Sequence, residues 1–340
     1  MKKALKITAL VLGILIFLIG GTFLFFTITA YNPKGELVLQ QILSPQNRDA
    51  GTVTGTNRQT PGDLSILSWN LGYGGLDKYT DFFMDGGKMS LPRSQQAVET
   101  AIEKIGEFIA SREADFYFIQ EIDQASFRTK KQNQIEIMGE VLPEYYGWFG
   151  QNYKALFVPL PFSKPMRSMD SGILTLSRYY AEGVTRIQLP GRFPWPVWVF
   201  NLRRCAVITR IPSPMPEKDW CLINIHLDAY DNGTLRKQQL DFLRTTINEL
   251  YKQGHYVVVG GDWNSLFPGI TKDSFGPYAT TEKDLFWVQN IPEGWSLPDW
   301  VWCYDKNIPT CRSLERPYAY GQNFTTSIDG FYVSDRKSVV

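Results

Sequence analysis

The hydrophobic positions of this chain fall into one long unbroken run followed by many short ones. The run from Ile7 to Ala30 carries no charged residue. As a helix rising ~1.5 Å per residue it reaches roughly 36 Å, more than the ~30 Å hydrocarbon core of a bilayer. From Leu64 onward the apolar segments are short. Leu64 to Asn70 alternates as a strand does and runs into Gly72, Gly74 and Gly75. Val98, Ile102, Ile105 and Ile109 recur at helical spacing and predict a helix over 94–110. Residues 115–119 read as a second strand and 127–142 as a second amphipathic helix. Further strands are predicted over 172–176, 199–211, 220–227, 256–260 and 327–333, with a helix over 235–250.

The segments 199–211 and 220–227 flank a proline-rich connection and predict an antiparallel hairpin, which excludes a purely parallel doubly wound sheet. Alternating strands and helices with such a hairpin predict an α+β fold. Two mixed sheets pack face to face with helices outside, a four-layer α/β/β/α sandwich, preceded by one transmembrane helix. Residues 31–63 are polar, rich in Pro, Gly, Asn and Thr, and read as a tether with local order over 37–43. The expected organisation is therefore an anchor over 1–30, a linker over 31–63 and one domain over 64–340.

Lys2, Lys3 and Lys6 flank the long run on its N-terminal side. Basic residues there predict a cytoplasmic N-terminus and a domain outside the membrane. A cleaved signal peptide is the rival reading, but its apolar region would be unusually long and only Ala30 offers a cleavage site. No cysteine stands just after the run, which argues against lipoprotein processing.

Lys plus Arg number 35 against 34 for Asp plus Glu, so there is no global basic field to hold nucleic acid by counterion release. An enzyme that touches only a few phosphates remains compatible with that balance. The four cysteines are Cys205, Cys221, Cys303 and Cys311. Cys205 and Cys221 lie at unequal distances from the centre of the hairpin and are expected to be buried free thiols, while Cys303 and Cys311 are near enough in sequence to pair. No C-x-x-C spacing occurs, so a zinc site is not expected.

The chemistry sits where apolar strands end in polar residues. Val257-Val258-Val259-Gly260-Gly261 leads into Asp262 and Asn264, two apart and so on one side of an extended backbone. Asn70, Glu121, His226 and Asp329 likewise stand at or beyond apolar strands. Each alone has an ordinary structural explanation, as a turn residue, a helix cap or a hydrogen-bonded core histidine. Together they imply one polar pocket at a common sheet edge.

The pieces Ser68-Trp69-Asn70, Ile119-Gln120-Glu121, Asp170-Ser171-Gly172-Ile173-Leu174, Asn224-Ile225-His226-Leu227, Gly261-Asp262-Trp263-Asn264 and Ser327-Ile328-Asp329-Gly330-Phe331 occur in that order from Leu64 to Val333. In this the chain resembles the endonuclease/exonuclease/phosphatase superfamily, the deoxyribonuclease-I-like fold. The resemblance implies a metal-dependent hydrolase of phosphate esters in which Glu121, helped by Asn70, holds Mg²⁺ or Mn²⁺. A hard carboxylate oxygen at a strand end suits that ion. It further implies that Asp262 orients or activates water, that Asn264 and His226 contact the scissile phosphate, and that Asp329 buttresses a second histidine.

In the family that histidine lies in a Ser-Asp-His element after the Asp329 strand. Here only His226 and His255 are present, and His255 precedes the Tyr256 strand. The sequence is then expected to be a fragment that lacks its last strands, impaired in hydrolysis and open at one sheet edge, or else a natural inactive variant that only binds.

The implied substrates span nucleic acids, lipid headgroups and inositol phosphates, and no stable protein partner is expected. Two inserts bear on the choice: Asp81 to Gly87, and the proline-braced Phe193-Pro194-Trp195-Pro196-Val197-Trp198. The second either dips toward lipid, as tryptophan does at bilayer interfaces, or packs as a hydrophobic lid.

Overall fold

The computed structural model describes residues 2–45, 63–181 and 183–334. Residues 46–62 of the expected linker and the tail 335–340 lie outside the described residues. The chain opens with α1 (Lys2–Thr29), β1 (Glu36–Val38), β2 (Gln41–Leu43), β3 (Ile66–Asn70), α2 (Gln95–Ala110), β4 (Phe116–Asp123) and α3 (Gln134–Val141). It continues with β5 (Tyr146–Val158), β6 (Arg167–Ser177), β7 (Thr185–Gln188), β8 (Cys205–Pro212), β9 (Asp219–His226) and α4 (Thr234–Lys252). The last elements are β10 (Tyr256–Asp262), β11 (Val301–Cys303), β12 (Cys311–Arg312), β13 (Thr325–Thr326) and β14 (Asp329–Val333).

Two mixed sheets result. One has seven strands in the order β1-β7-β8-β9-β10-β14-β11, and the other has five in the order β2-β5-β6-β4-β3. Strand alternation builds the layers. On β4, Phe116 and Phe118 face the other sheet and pack with Ile173, Val207, Leu222 and Val258. Tyr117 and Ile119 face outward and are covered by Val98, Ile102 and Ile109 of α2 and Met138 of α3. On the far side, Leu240, Leu243, Ile247 and Leu250 of α4 cover Cys221, Ile223, Ile225, Val257 and Val259. This is the expected four-layer sandwich. Ser94 starts α2 as its cap, accepting from Ala97 N at 3.1 Å, which satisfies one of the helix's free donors.

Several boundaries differ from the pattern-based expectation. The helix expected over 127–142 is a single turn at Phe127–Thr129 and then α3, because Lys130 and Lys131 take positive φ between them. Residues 197–200 form a helical turn, so the strand expected from 199 begins at Cys205. The antiparallel hairpin itself is present, with Ala206 opposite Ile225 and Arg210 opposite Cys221. The long strand β5 and the short β7 were not anticipated. Nor was the use of residues 36–43 as edge strands of both sheets: β1 pairs with β7 and β2 with β5. The edge expected to be open beside β14 is covered by β11, Trp302 opposite Tyr332. All four cysteines are free, Cys205 and Cys221 buried as expected.

None of the residues of α1 is fully buried, and the helix is long and apolar enough to cross a membrane.

Candidate active site

Strand register brings the polar strand ends to one level. Asp262 on β10 lies opposite His226 on the parallel β9 and opposite Asp329 on the antiparallel β14. In the other sheet Asn70 on β3 lies opposite Gln120 on β4. Simple alternation would turn Glu121 outward with Ile119. Instead β4 bulges between Ile119 and Ile122, Glu121 takes φ 50°, and both isoleucines face the outer core three residues apart. The extra residue re-aims Glu121 toward the facing sheet, a common use of a bulge beside a site. Beneath it Gln120 donates to Asn224 Oδ1 at 2.8 Å, a fully buried bond from sheet to sheet.

Asn70 joins the two carboxylates. Its amide nitrogen donates to Asp262 Oδ2 at 2.8 Å and to Glu121 Oε1 at 3.3 Å, while its Oδ1 accepts from Gly72 N at 3.0 Å. His226 Nε2 stands 3.6 Å from Asp262 Oδ2 and 3.9 Å from Glu121 Oε1. Asp262 Oδ1 accepts from Asn264 N at 2.8 Å, and the Asn264 side chain donates to Leu227 O at 2.8 Å. Asp329 Oδ2 accepts from Thr310 Oγ1 at 2.7 Å, and its buried Oδ1 has no protein partner. Thus Asn70, Glu121, His226, Asp262, Asn264 and Asp329 all meet at one end of the sandwich. His255 does not. It accepts from Asp219 N at 3.1 Å at the opposite end of β9, roughly 20 Å of strand away.

Burial, with the nearby charge of Glu121, pushes the Asp262 carboxyl up to about 6. Burial and then the Asp262 charge push Asp329 well above the usual carboxylate range. His226 is held well below its ordinary value by burial and by the Arg204 charge, so it is neutral at pH 7. Three acidic side chains around one cleft suit a divalent cation. Among the described residues no three His, Cys, Asp or Glu are arranged to enclose one. The oxygen donors of Glu121 and Asn70 are of the kind a hard divalent cation takes. The Glu121 side chain is 28% exposed against 5% for Asp262, so it is the more accessible of these two carboxylates.

Sequence reasoning missed several groups. Arg204, just before β8, is buried in the cleft wall 3.5 Å from Asp228, and among the described residues its Nε and Nη1 make no hydrogen bond. Arg128 is clamped on Asp123 through bonds of 2.9 and 2.8 Å and lies 3.4 Å over the Tyr73 ring. Arg236 of α4 donates to the carbonyls of Asn264, Ala229 and Trp287 and so fixes the loop that carries Asn264. The only sequence signal for Arg204 was the pair Arg203-Arg204 before an apolar strand.

The cleft measures about 950 Å³. The site residues form its floor, and both aromatic inserts contribute to its wall through Phe82, Phe83, Phe193 and Val197.

A model of the endonuclease/exonuclease/phosphatase family matches residues 67–336. A search of curated proteins found no match. Among solved structures, C. elegans TDP2 is 14% identical over 80% of this chain and 64% of its own, with a TM-score of 0.47. The chain thus spans a little under two thirds of that protein's length. An endonuclease/exonuclease/phosphatase from Bacteroides vulgatus is 15% identical, covering 80% of this chain and 87% of that one, with a TM-score of 0.47. ANGEL2, a 2′,3′-cyclic phosphatase, is 14% identical with coverages of 80% and 84% and a TM-score of 0.47.

Proposed function

The chain belongs to the endonuclease/exonuclease/phosphatase family, and on that footing we propose that it is an Mg²⁺- or Mn²⁺-dependent phosphoesterase acting outside the cytoplasmic membrane. The observation that carries this reading is the meeting of Asn70, Glu121, His226 and Asp262 across the gap between the sheets. Glu121, with Asn70 beside it, would hold the cation. When bound, that ion supplies Lewis-acid polarisation of the phosphoryl oxygen and stabilises the leaving oxygen.

The chain's own groups do the rest. Asp262 has one oxygen fixed by Asn264 N and the other by Asn70, so its carboxylate is aimed before substrate arrives. With its pKa raised to about 6 it is a stronger base toward water than an exposed carboxylate, yet still ionised at pH 7. Neutral His226 turns Nε2 to the same space and can donate to a phosphoryl oxygen. Arg204 places a fixed positive charge in the wall, a preorganised partner for the developing negative charge.

Residues 1–30 would serve as an uncleaved anchor, with Lys2, Lys3 and Lys6 inside. A second reading, a phosphate-ester-binding protein without turnover, draws on one observation. Asp329 Oδ1 is buried without a protein partner, and among the described residues neither histidine hydrogen-bonds to it.

The test is hydrolysis of bis-p-nitrophenyl phosphate and p-nitrophenyl phosphate by the full chain, with Mg²⁺, with Mn²⁺ and with EDTA. The hydrolase reading expects metal-dependent turnover that Glu121→Gln abolishes, along with a loss of metal binding by calorimetry. Metal and substrate binding without turnover would establish the second reading. Unchanged metal binding in Glu121→Gln would remove Glu121 from the metal site.

A further inference from the structure

The far wall of the cleft is the anchor helix. Thr22, Phe23 and Phe26 of α1 line the same cavity as Asn70, Glu121, His226 and Asp262. The helix is fastened there. Trp195 Nε1 donates to Thr27 Oγ1 at 3.1 Å, the Phe23 and Trp195 rings lie 5.6 Å apart, and those of Phe26 and Phe200 lie 5.4 Å apart. Just beyond the helix, Tyr31 donates to Gln151 O at 3.1 Å and Arg203 to Asn32 Oδ1 at 3.0 Å. With β1 starting at Glu36, little chain remains between helix and sheet to let one swing against the other.

This fixes the depth of the cleft mouth. Thr22 lies seven residues before the helix end at Thr29, so it sits about 10 Å below that end at ~1.5 Å per residue. The apolar run of roughly 36 Å exceeds a ~30 Å hydrocarbon core by only a few ångströms. If α1 spans the bilayer, Thr22 to Phe26 therefore stand within the outer leaflet, and the cavity they line opens at that level.

The rim has the composition such a position demands. Phe162 is 85% exposed, Trp195 58%, Val197 48% and Leu160 47%, and all but Trp195 also line the cavity. A monomeric domain in water rarely gathers large apolar side chains around its own active-site mouth. Arg192, stacked 5.0 Å from Trp198 in the same loop, puts a cation beside this apolar edge, where lipid phosphates lie. Within the one cavity Asp262, His226 and Arg204 are buried while Phe162, Val197 and Leu160 are exposed, matching a ligand with a phosphate at one end and hydrocarbon at the other.

We propose that the cleft takes the phosphate ester of a membrane lipid, drawn sideways from the leaflet that surrounds the second half of α1. The inference rests on the phosphoesterase and anchor readings above and adds the substrate class. The step is hydrolysis. Water adds at phosphorus, the bond from phosphorus to the leaving oxygen breaks, and that oxygen takes up the proton that water gives up. A soluble nucleic acid would be held better by a strongly basic protein, and the net charge of +1 supplies no global field of that kind.

The experiment reconstitutes the full chain in phosphatidylcholine vesicles carrying phosphatidic acid, phosphatidylglycerol or a phosphatidylinositol phosphate. Release of phosphate or headgroup is compared with hydrolysis of bis-p-nitrophenyl phosphate and single-stranded DNA by the same vesicles. At least one embedded lipid is expected to exceed both soluble substrates by about tenfold or more, since its chains add binding energy remote from the reacting bond. Phe162→Asp and Trp195→Ala should each lower the ratio of lipid to soluble-ester turnover by about tenfold, the effect of one lost apolar anchor. Turnover of soluble ester or DNA without lipid turnover, or a ratio unmoved by both variants, would overturn the lipid assignment and leave the phosphoesterase reading standing. Absence of turnover on every substrate would sink both. A mature chain beginning after Ala30 would remove the helical wall, and the inference with it.

Discussion

The amide of Asn70 donates to Asp262 Oδ2 at 2.8 Å, and this bond runs from the five-stranded sheet to the seven-stranded one. It ties the carboxylate assigned to water to the strand that neighbours Glu121, so the two halves of the site are set by the packing of the sheets. A hydrogen bond to the charged form of a carboxylate lowers its pKa, and Asn70 is the leading influence of that kind on Asp262.

Asn70→Ala should therefore raise the Asp262 pKa further above about 6. Less of the base is then ionised at a given acidic pH, and the acidic limb of the pH–rate profile moves to higher pH. A rate loss of roughly 10- to 100-fold at pH 7 is expected from the lost positioning. The kcat profile against pH checks this. An acidic limb that stays in place would mean the bond does not set the base.

Arg204 offers a second check. Its guanidinium faces the cleft, with Asp228 at 3.5 Å and, among the described residues, no hydrogen bond from Nε or Nη1. Arg204→Lys keeps the charge and loses the planar fork that matches phosphate oxygens. KM for a phosphate ester should rise by about tenfold with a smaller change in kcat, and inorganic phosphate should inhibit correspondingly less. Unchanged KM and phosphate inhibition would confine Arg204 to pairing with Asp228.

Much of the candidate site's placement at one end of the sheets was legible because it depends on local pattern. The valines before Asp262 and the alternation ending at Asn70 fix where those strands stop, and register does the rest. The bulge at Glu121 leaves no trace in a hydrophobic pattern, since both Gln120 and Glu121 are polar whichever way they point. The strand β5 was hidden because Gly147, Gly150, Gln151 and Asn152 interrupt its alternation, although most of the strand is buried against its neighbours. The role of α1 as a wall of the cleft was also invisible, since its contacts with Trp195 and Phe200 join residues far apart in sequence.

Asp85 gives a pH dependence of stability. It is buried in the cleft wall, held by Tyr230, and burial raises its pKa from 3.8 to about 6. The folded value lies above the unfolded one, so between them the folded state binds more protons. Stability should thus fall as pH rises from 3.8 to about 6 and level off above. The contribution is at most about 3 kcal/mol, and Asp262 adds in the same direction. Asp85→Asn should flatten the part that belongs to Asp85. Chemical denaturation in EDTA across that range measures it, and an equally steep slope in the variant would assign the effect elsewhere.

Gly261 carries the last prediction. Its φ is 138°, and a Cβ there would overlap the carbonyl oxygen of Ile225 on the adjacent parallel strand. Ile225 cannot retreat. It is buried under α4 and is paired on its other side with Ala206 of β8. Gly261→Ala must therefore push β10 away from β9 at the point where Asp262 faces His226. A destabilisation of about 3 kcal/mol or more is expected, combining backbone strain with broken ladder bonds. Gly254→Ala is the control, since Gly254 also has positive φ, at 93°, but a Cβ there meets nothing within 4 Å. That change should cost only about 1 kcal/mol, the strain of the conformation alone. Denaturation curves for the two variants separate the effects. Equal losses would show that strain, and not the close approach of the strands that carry the site, is what glycine relieves at 261.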